Sequence, residues 1–265
     1  MRSDFQHVLV RRESGVLTIV MNRPQVLNAI NDLMVQELIE IVEETARDGE
    51  IRCVVLTGAG RAFGAGQDLS VFASTPADEY GSAVREHLQA YHRLIMGIQQ
   101  LPQPVIAAIH GVATGVSLNI ALACDLRIAA GDARISEAFA RIGLVPDGGG
   151  AYFLTRLLGS AKALELALLA EEISGVEAER IGLVNKCVPL SELEKAVSAL
   201  ARRLAAGPTR TYGLIKQLFH ASQDQDLVAV LQLEGEFQSR AVKTADHREG
   251  VQAFLQKRPP RYSGK

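Results

Sequence analysis

Cysteine is scarce in this chain of 265 residues: Cys53, Cys124 and Cys187 are its only three, far apart and within or beside apolar runs. That pattern excludes a disulfide framework and fits reduced, buried thiols, with a cytoplasmic setting as the expectation. A surplus of positive charge is also missing. The 28 Lys and Arg against 30 Asp and Glu leave a net charge of -2, which gives no footprint for nucleic acid, although a local basic patch could still hold a phosphorylated ligand. No His, Cys or carboxylate cluster has the spacing of a metal site. The first residues, MRSDFQHVLVRRES, are charged and lack an apolar stretch, so no secretory signal is expected. No segment repeats at a fixed period and none is low in complexity.

One long uncharged run does occur, at residues 104–124. About 20 apolar residues suffice to span a bilayer, but His110, Thr114, Ser117 and Asn119 would need partners in lipid. Gly111 and Gly115 break the run where a strand turns into a helix. A buried strand, VIAAI, followed by a buried helix over residues 116–123 is the better reading, and no membrane partner is expected.

Along the rest of the chain, strands and helices alternate. Val16–Met21 and CVVLTG at Cys53–Gly58 are strand candidates, and between them Leu33, Val35, Leu38, Ile39, Val42 and Thr45 have helical spacing. A second helix carries Val84, Leu88, Tyr91, Ile95 and Ile98 on one face and ends at LPQP. This alternation predicts an α/β layer architecture. From residue 160 onward Ala- and Leu-rich helices dominate, interrupted at Ser174-Gly175 and by the short strand candidate LVNKCV. Ala206-Gly207-Pro208 is the best linker, which divides the chain into a core, residues 1–206, and a helical region, residues 207–265. Helices are predicted there over Thr209–Ala221, residues 227–242 and residues 246–256.

Two glycine-bearing loops, RAFGAGQDL (residues 61–69) and HGVATGV (residues 110–116), each follow a strand candidate, and the second opens a helix. Unpaired N–H groups and the helix dipole favour an anion there. Two such loops side by side could aim two donors at one oxygen; equally, both could be plain turns, since neither matches a phosphate-loop or dinucleotide fingerprint. Asp147, in PDGGG, has the same double reading. An Asp between Pro and Gly is a normal turn or cap residue, whereas the glycines after it let a ligand approach the backbone closely.

Taken together, MNRPQVLNAI, VVLTGAGRAFGAGQDLS, the PVIAAIHG to IALACDLRIAA run, IGLVPDGGG, ISGVEAERIGLVNKCVP and HREGVQAFLQKR resemble the crotonase (enoyl-CoA hydratase/isomerase) superfamily over nearly the whole chain. The resemblance implies a spiral of repeated ββα units, a C-terminal helical trimerisation region, a homotrimer or a hexamer built as a dimer of trimers, and acyl-CoA thioester ligands with no separate cofactor. It places an oxyanion hole on the backbone N–H groups of Gln67 and Val116. Such a pair stabilises a thioester enolate, one donor being worth roughly 2.7–4 kcal/mol.

Hydratases of the superfamily use two glutamates to activate water; the matching positions here are Asn119 and Phe139. Asn119 can hydrogen-bond a water but cannot take its proton, and Phe139 can do neither. Glu137 sits two residues early, on what is expected to be a different face. The isomerases instead place a carboxylate where Asp147 stands, and AGQDL, NIALACDL, EAFARIGLVPDGGG and LALLA are most similar to the ring-1,2-epoxyphenylacetyl-CoA isomerase branch, which implies phenylacetate or fatty acid metabolism. The expected base is Asp147, with Asn119 either orienting the substrate or a satisfied buried amide, and Phe139 lining the pocket. Asp68 and Asp125 are expected to brace loops, and His110 to be a turn residue. For coenzyme A the resemblance points to Arg23, Arg61, Lys257, Arg258 and Phe254, the last group from a neighbouring subunit, with backbone contacts at Ala62, Phe63 and Ala65. Three readings stay open: an enoyl-CoA isomerase, an enoyl-CoA hydratase, and a non-catalytic acyl-CoA binder in which Asp147 only caps a helix.

Overall fold

The computed structural model describes residues 4–71 and 80–265. A hairpin comes first: β1 (Val8–Glu13) pairs antiparallel with β2 (Val16–Met21) around Ser14 and Gly15, both at positive φ. The following helix, α1 (Asp32–Arg47), starts where the Asn31 side chain accepts from the Met34 N–H, and it buries Met34, Val35, Leu38 and Val42. Leu33, assigned to the same apolar stripe by spacing, faces outward.

Three ββα turns then follow one another. β3 (Cys53–Gly58), β4 (Ala62–Gly64) and α2 (Tyr80–Gln100) form the first; β5 (Val105–Ile109), β6 (Val112–Thr114) and α3 (Gly115–Ala123) the second; β7 (Leu126–Ala130), β8 (Arg134–Ser136) and α4 (Gly150–Leu169, broken at Gly159) the third. In each turn the first strand joins a large sheet and the second a small one. The large sheet has the order β1-β2-β3-β5-β7-β10 and is parallel apart from β1; the small sheet has the order β4-β6-β8-β9, with β9 antiparallel. Between α4 and the last large-sheet strand, β10 (Lys186–Val188), lie β9 (Ile173–Ser174) and α5 (Gly175–Arg180).

The uncharged run resolves into this scheme. All five residues of VIAAI are buried as β5, and every residue of α3 is buried, as expected of a parallel strand and helix covered on both faces. No helix among the described residues is long and apolar enough to cross a membrane. Cys53 and Cys124 are buried and Cys187 is half-buried, all three as free thiols.

Beyond β10, α6 (Leu190–Ala205) lies across β3, β5 and β7. Residues 207 onward form α7 (Thr209–Ala221), α8 (Leu227–Ala241) and α9 (Ala245–Leu255). Asp125 braces as expected: its Oδ2 accepts from the Val105 N–H at 2.7 Å and pairs with Lys216 of α7 at 2.7 Å, tying a helix end to a strand and to the C-terminal helices.

Asn28 holds the start of the small sheet. Fully buried and at φ 57°, it donates from Nδ2 to the carbonyls of Ala59 and Ala62 at 2.9 and 2.7 Å and accepts from the Arg23 N–H at 2.9 Å. Asn28→Ala strands these groups, so it should lower the unfolding free energy by roughly 2–3 kcal/mol in urea titration, with a loss at least as large for Asn28→Asp, which keeps the acceptor but turns a carboxyl oxygen onto the two buried carbonyls.

Candidate active site

The small sheet assembles the site. β4, β6 and β8 run parallel and side by side, with Gly64 opposite Ala113 and Thr114 opposite Ser136, so the segments leaving their carboxyl ends converge. These segments carry Gln67, Val116 and Phe139. Ligands of parallel α/β sheets characteristically bind at such carboxyl ends.

Each donor loop leaves one N–H unspent. The Gly66 carbonyl accepts from Ile30 at 2.8 Å and the Asp68 N–H donates to Ile30 at 2.9 Å, which turns the intervening Gln67 N–H to the opposite side. Val116 is the second residue of α3, where no carbonyl lies one turn back to accept its N–H. The Gly66 N–H donates to Ser117 Oγ at 3.0 Å and locks the two loops together. Gly66 and Gly115 both have positive φ, 86° and 55°, and a Cβ on Gly66 would stand 3.1 Å from the Thr114 carbonyl oxygen.

Both donor loops line a cavity of about 530 Å³, with Asp147 in its wall. Its other walls are chiefly apolar: Leu69, Val84, Leu88, Phe139, Ile142 and Leu144. Asp147 reaches it because the 3-10 turn Ala138–Ile142 ends at Gly143 in the left-handed region and the glycines after Asp147 fold tightly onto α3. A Cβ on Gly148 would lie 3.1 Å from Val116 Cγ2, and one on Gly150 2.5 Å from Asn119 Nδ2. Burial pushes the Asp147 carboxyl up to about 6, and its Oδ1 has no hydrogen-bond partner. An Asp used merely as a helix cap would accept from the first turn; α4 has no side-chain cap.

Behind Asp147 lie two further polar groups. Asn119 Nδ2 donates to the Asp147 carbonyl at 2.8 Å, while its Oδ1 is buried without a partner. Asn119 therefore positions the Asp147 backbone and does not line the cavity. Glu137 is 2% exposed, and neither carboxyl oxygen makes a hydrogen bond of good geometry. Burial pushes it up to about 8; the nearby Asn119 amide pulls it back in part, and the Asp147 charge adds to the rise. Its position off the cavity wall agrees with the different face expected from spacing, but its burial beside Asn119 and Asp147 was not legible there.

Not all the residues expected to meet coenzyme A gather at the cavity. Ala62 and Phe63 are fully buried, with the Ala62 carbonyl taken by Asn28 and the Phe63 N–H by His110, so of the three proposed backbone contacts only Ala65 reaches the cavity. Arg23 is spent internally: it donates to the Ala29 carbonyl at 2.7 Å and pairs with Asp68 at 2.8 Å. Asp68 is thus the loop brace expected, its carboxyl held below the usual range first by the Ser70 hydroxyl and then by Arg23. Arg258 pairs with Glu249 at 2.6 Å. Arg61 is exposed and away from the cavity; Phe254 and Lys257 are exposed too and do not line this chain's own cavity, consistent with the neighbouring-subunit placement expected of them. His110 bonds the Gly60 carbonyl in a separate groove against α6, the turn position expected. The basic group at the cavity wall is instead Arg141, exposed two residues beyond Phe139. His87 of α2 also lines the cavity, between Asp32 and Gln67, at 2.7 and 2.6 Å; only the long-range packing of α2 reveals it.

Gln67, Val116 and the raised carboxyl of Asp147 thus line one chiefly apolar cavity. The enoyl-CoA hydratase/isomerase family model matches residues 11–265, and the chain belongs to that family. It is 42% identical to a 1,2-epoxyphenylacetyl-CoA isomerase from Escherichia coli over 98% of this chain and 99% of that one. It is 43% identical to a probable enoyl-CoA hydratase from Rhodobacter capsulatus over 95% of each. A solved enoyl-CoA hydratase from Bacillus anthracis superposes with a TM-score of 0.93 at 34% identity, over 98% of this chain and 100% of that one. The fold is crotonase-like.

Glu137 supplies a pH test. Its folded pKa lies above the unfolded one, so its contribution is fully favourable below about 4.5 and is lost as pH rises to about 8. Replacing it by the neutral Glu137→Gln removes that slope. Relative to wild type, the variant should gain stability between pH 5 and pH 8, by on the order of 4 kcal/mol, measured by urea unfolding at each pH.

Proposed function

We propose that this chain is an acyl-CoA isomerase that works through a thioester enolate, with Asp147 as its one proton carrier. The observation carrying this reading is the one carboxyl that the described residues bring to the cavity wall, raised to about 6 by burial, set among glycines and sharing that cavity with Gln67 and Val116. Asp147 removes the proton beside the thioester carbonyl, the two amides take up the developing oxyanion, and the same carboxyl returns the proton elsewhere on the allylic system. A ring epoxide beside the enolate carbon is a second structure that this charge can rearrange. The Escherichia coli relative's name supports that substrate type.

Hydration by the two-carboxylate route lacks its residues, because Asn119 and Phe139 stand where the resemblance puts glutamates. Glu137 does not substitute for them: at about 8 it keeps its proton at neutral pH and lies off the cavity wall. In this reading coenzyme A belongs to the substrate, Arg141 meets its phosphates, and no other cofactor is required. The working form is a trimer or a dimer of trimers in the cytoplasm. Exposed apolar residues on the C-terminal helices, including Leu227 and Val228 of α8 and Phe254 and Leu255 of α9, support subunit packing there, and Phe254 and Lys257 would then face a neighbouring subunit's coenzyme A.

The decisive experiment assays a 3-enoyl-CoA and a 2-enoyl-CoA with wild type and Asp147→Asn. Isomerisation of the 3-enoyl-CoA should fall at least 100-fold in the variant; hydration of the 2-enoyl-CoA that survives it would instead favour a hydratase, and tight binding without turnover a non-catalytic protein. In wild type, kcat/KM should rise with pH and reach half its plateau near 6, since only the ionised Asp147 accepts a proton.

A further inference from the structure

Glu137 is a buried carboxyl that the proposed reaction does not use. It follows β8 directly and lies beside Asn119, which is fully buried. Four oxygens of this corner have no hydrogen-bond partner: both of Glu137, Asn119 Oδ1 and Asp147 Oδ1. Ionised carboxylates and amide oxygens only accept, so a second charge at Glu137 would add demand for donors where one amide is the near supply.

Other charges do not relieve it. α3 and β6 carry no ionisable group. Arg141 on the adjoining 3-10 turn is exposed, Arg134 of β8 pairs with Glu172, and the first charge of α4, Arg156, pairs with Asp224. On α5, Glu177 pairs with Arg180 and Glu179 is exposed. Burial therefore holds Glu137 neutral up to about 8, opposed by the Asn119 amide and reinforced by the Asp147 charge.

That amide joins the two carboxyl residues. Asn119 Nδ2 donates to the Asp147 carbonyl at 2.8 Å, and since a carbonyl only accepts, the amide cannot sit the other way round. The loop after Asp147 rests on it: a Cβ on Gly148 would lie 3.3 Å from Asn119 Cβ, and one on Gly150 2.5 Å from Nδ2. The same amide is the group whose hydrogen bonding favours an ionised Glu137. Two acceptors thus compete for one amide. While Glu137 is neutral the N–H stays with Asp147; a carboxylate competes with a charge-assisted bond, roughly twice as strong as a neutral one.

We propose that Glu137 is a positioning residue that must keep its proton for Asp147 to work, because its carboxylate draws the Asn119 N–H away from the Asp147 carbonyl and frees the loop that aims the base. This rests on the isomerase reading and adds an alkaline limit to it.

The test is the pH profile of 3-enoyl-CoA isomerisation by wild type and Glu137→Gln, with kcat and KM taken separately. Wild-type kcat should rise through about 6 as Asp147 ionises and fall above about 8, on the order of tenfold over roughly two pH units, with KM little changed. In Glu137→Gln, which has no proton to lose there, the acid limb should remain and the alkaline limb should go; a carboxyl that served packing alone would leave the shape of the profile untouched. Infrared spectra without substrate should show a protonated-carboxyl band in wild type that fades with a midpoint near 8 and is absent from Glu137→Gln. No alkaline limb in wild type, a limb that survives in the variant, or no such band at neutral pH overturns the inference and leaves the isomerase reading standing. Absence of turnover at every pH removes that reading, and the inference with it.

Discussion

The hydrogen bond from the Gly66 N–H to Ser117 Oγ fixes the relative position of the two donor loops, and what the cavity can do to a ligand follows from it. Ser117 belongs to a helix buried along its whole length, so the bond fastens a surface loop to the most immobile element available. It also fills the space beside Gly64, where a Cβ would come within 2.5 Å of the hydroxyl. With the Gly66 N–H spent in this way, and the Gly66 carbonyl and Asp68 N–H paired to Ile30, the N–H of Gln67 finds no acceptor among the described residues. A preorganised donor of this kind gains more from a developing oxyanion than from water, because no reorganisation accompanies the charge.

Across the cavity, burial separates the roles of two carboxyls. Asp147 is raised to about 6 and is mostly ionised at neutral pH; Glu137, more deeply enclosed and beside that charge, is raised to about 8 and stays neutral. The order could not be reversed without placing an unpaired charge off the cavity, where neither solvent nor a hydrogen bond would compensate it. Asn119 stands between them and gives its amide N–H to the Asp147 carbonyl, which fixes the Asp147 backbone without engaging its carboxylate.

The regular elements of the core were legible because burial imposes a period on sequence. α1, α2, β2, β3, β5 and α7 fall close to where apolar spacing puts them, and the oxyanion loops and Asp147 carried their motifs openly. The strands β4, β6, β8 and β9 are only two or three residues long, too short to express alternation, and β1 is largely exposed. The small sheet that brings the site together was therefore invisible in the residues alone and entered only through the family resemblance. Cationic residues misled for a different reason: a sequence counts charges but does not show that Arg23 and Arg258 meet Asp68 and Glu249. His87 was missed because nothing local links it to Asp32 and Gln67, 55 and 20 residues away in the chain.

Main-chain donors make the reaction class independent of side-chain identity, and this is where the fold leaves room for divergence. In the proposed reading the donor pair survives any change at positions 67 and 116 that preserves the local backbone, so chemistry is chosen by what projects around it. In this chain the choices are an amide at 119 turned to the Asp147 carbonyl, a phenyl ring at 139 lining the cavity, and a carboxyl at 147 held among glycines. The side chain at 67 is held from α2 and α1, its Oε1 meeting Tyr91 and His87 while His87 meets Asp32. In the proposed reading the main chain thus fixes where the thioester oxygen is received, and the side chains packed around it leave the acyl group to be chosen separately.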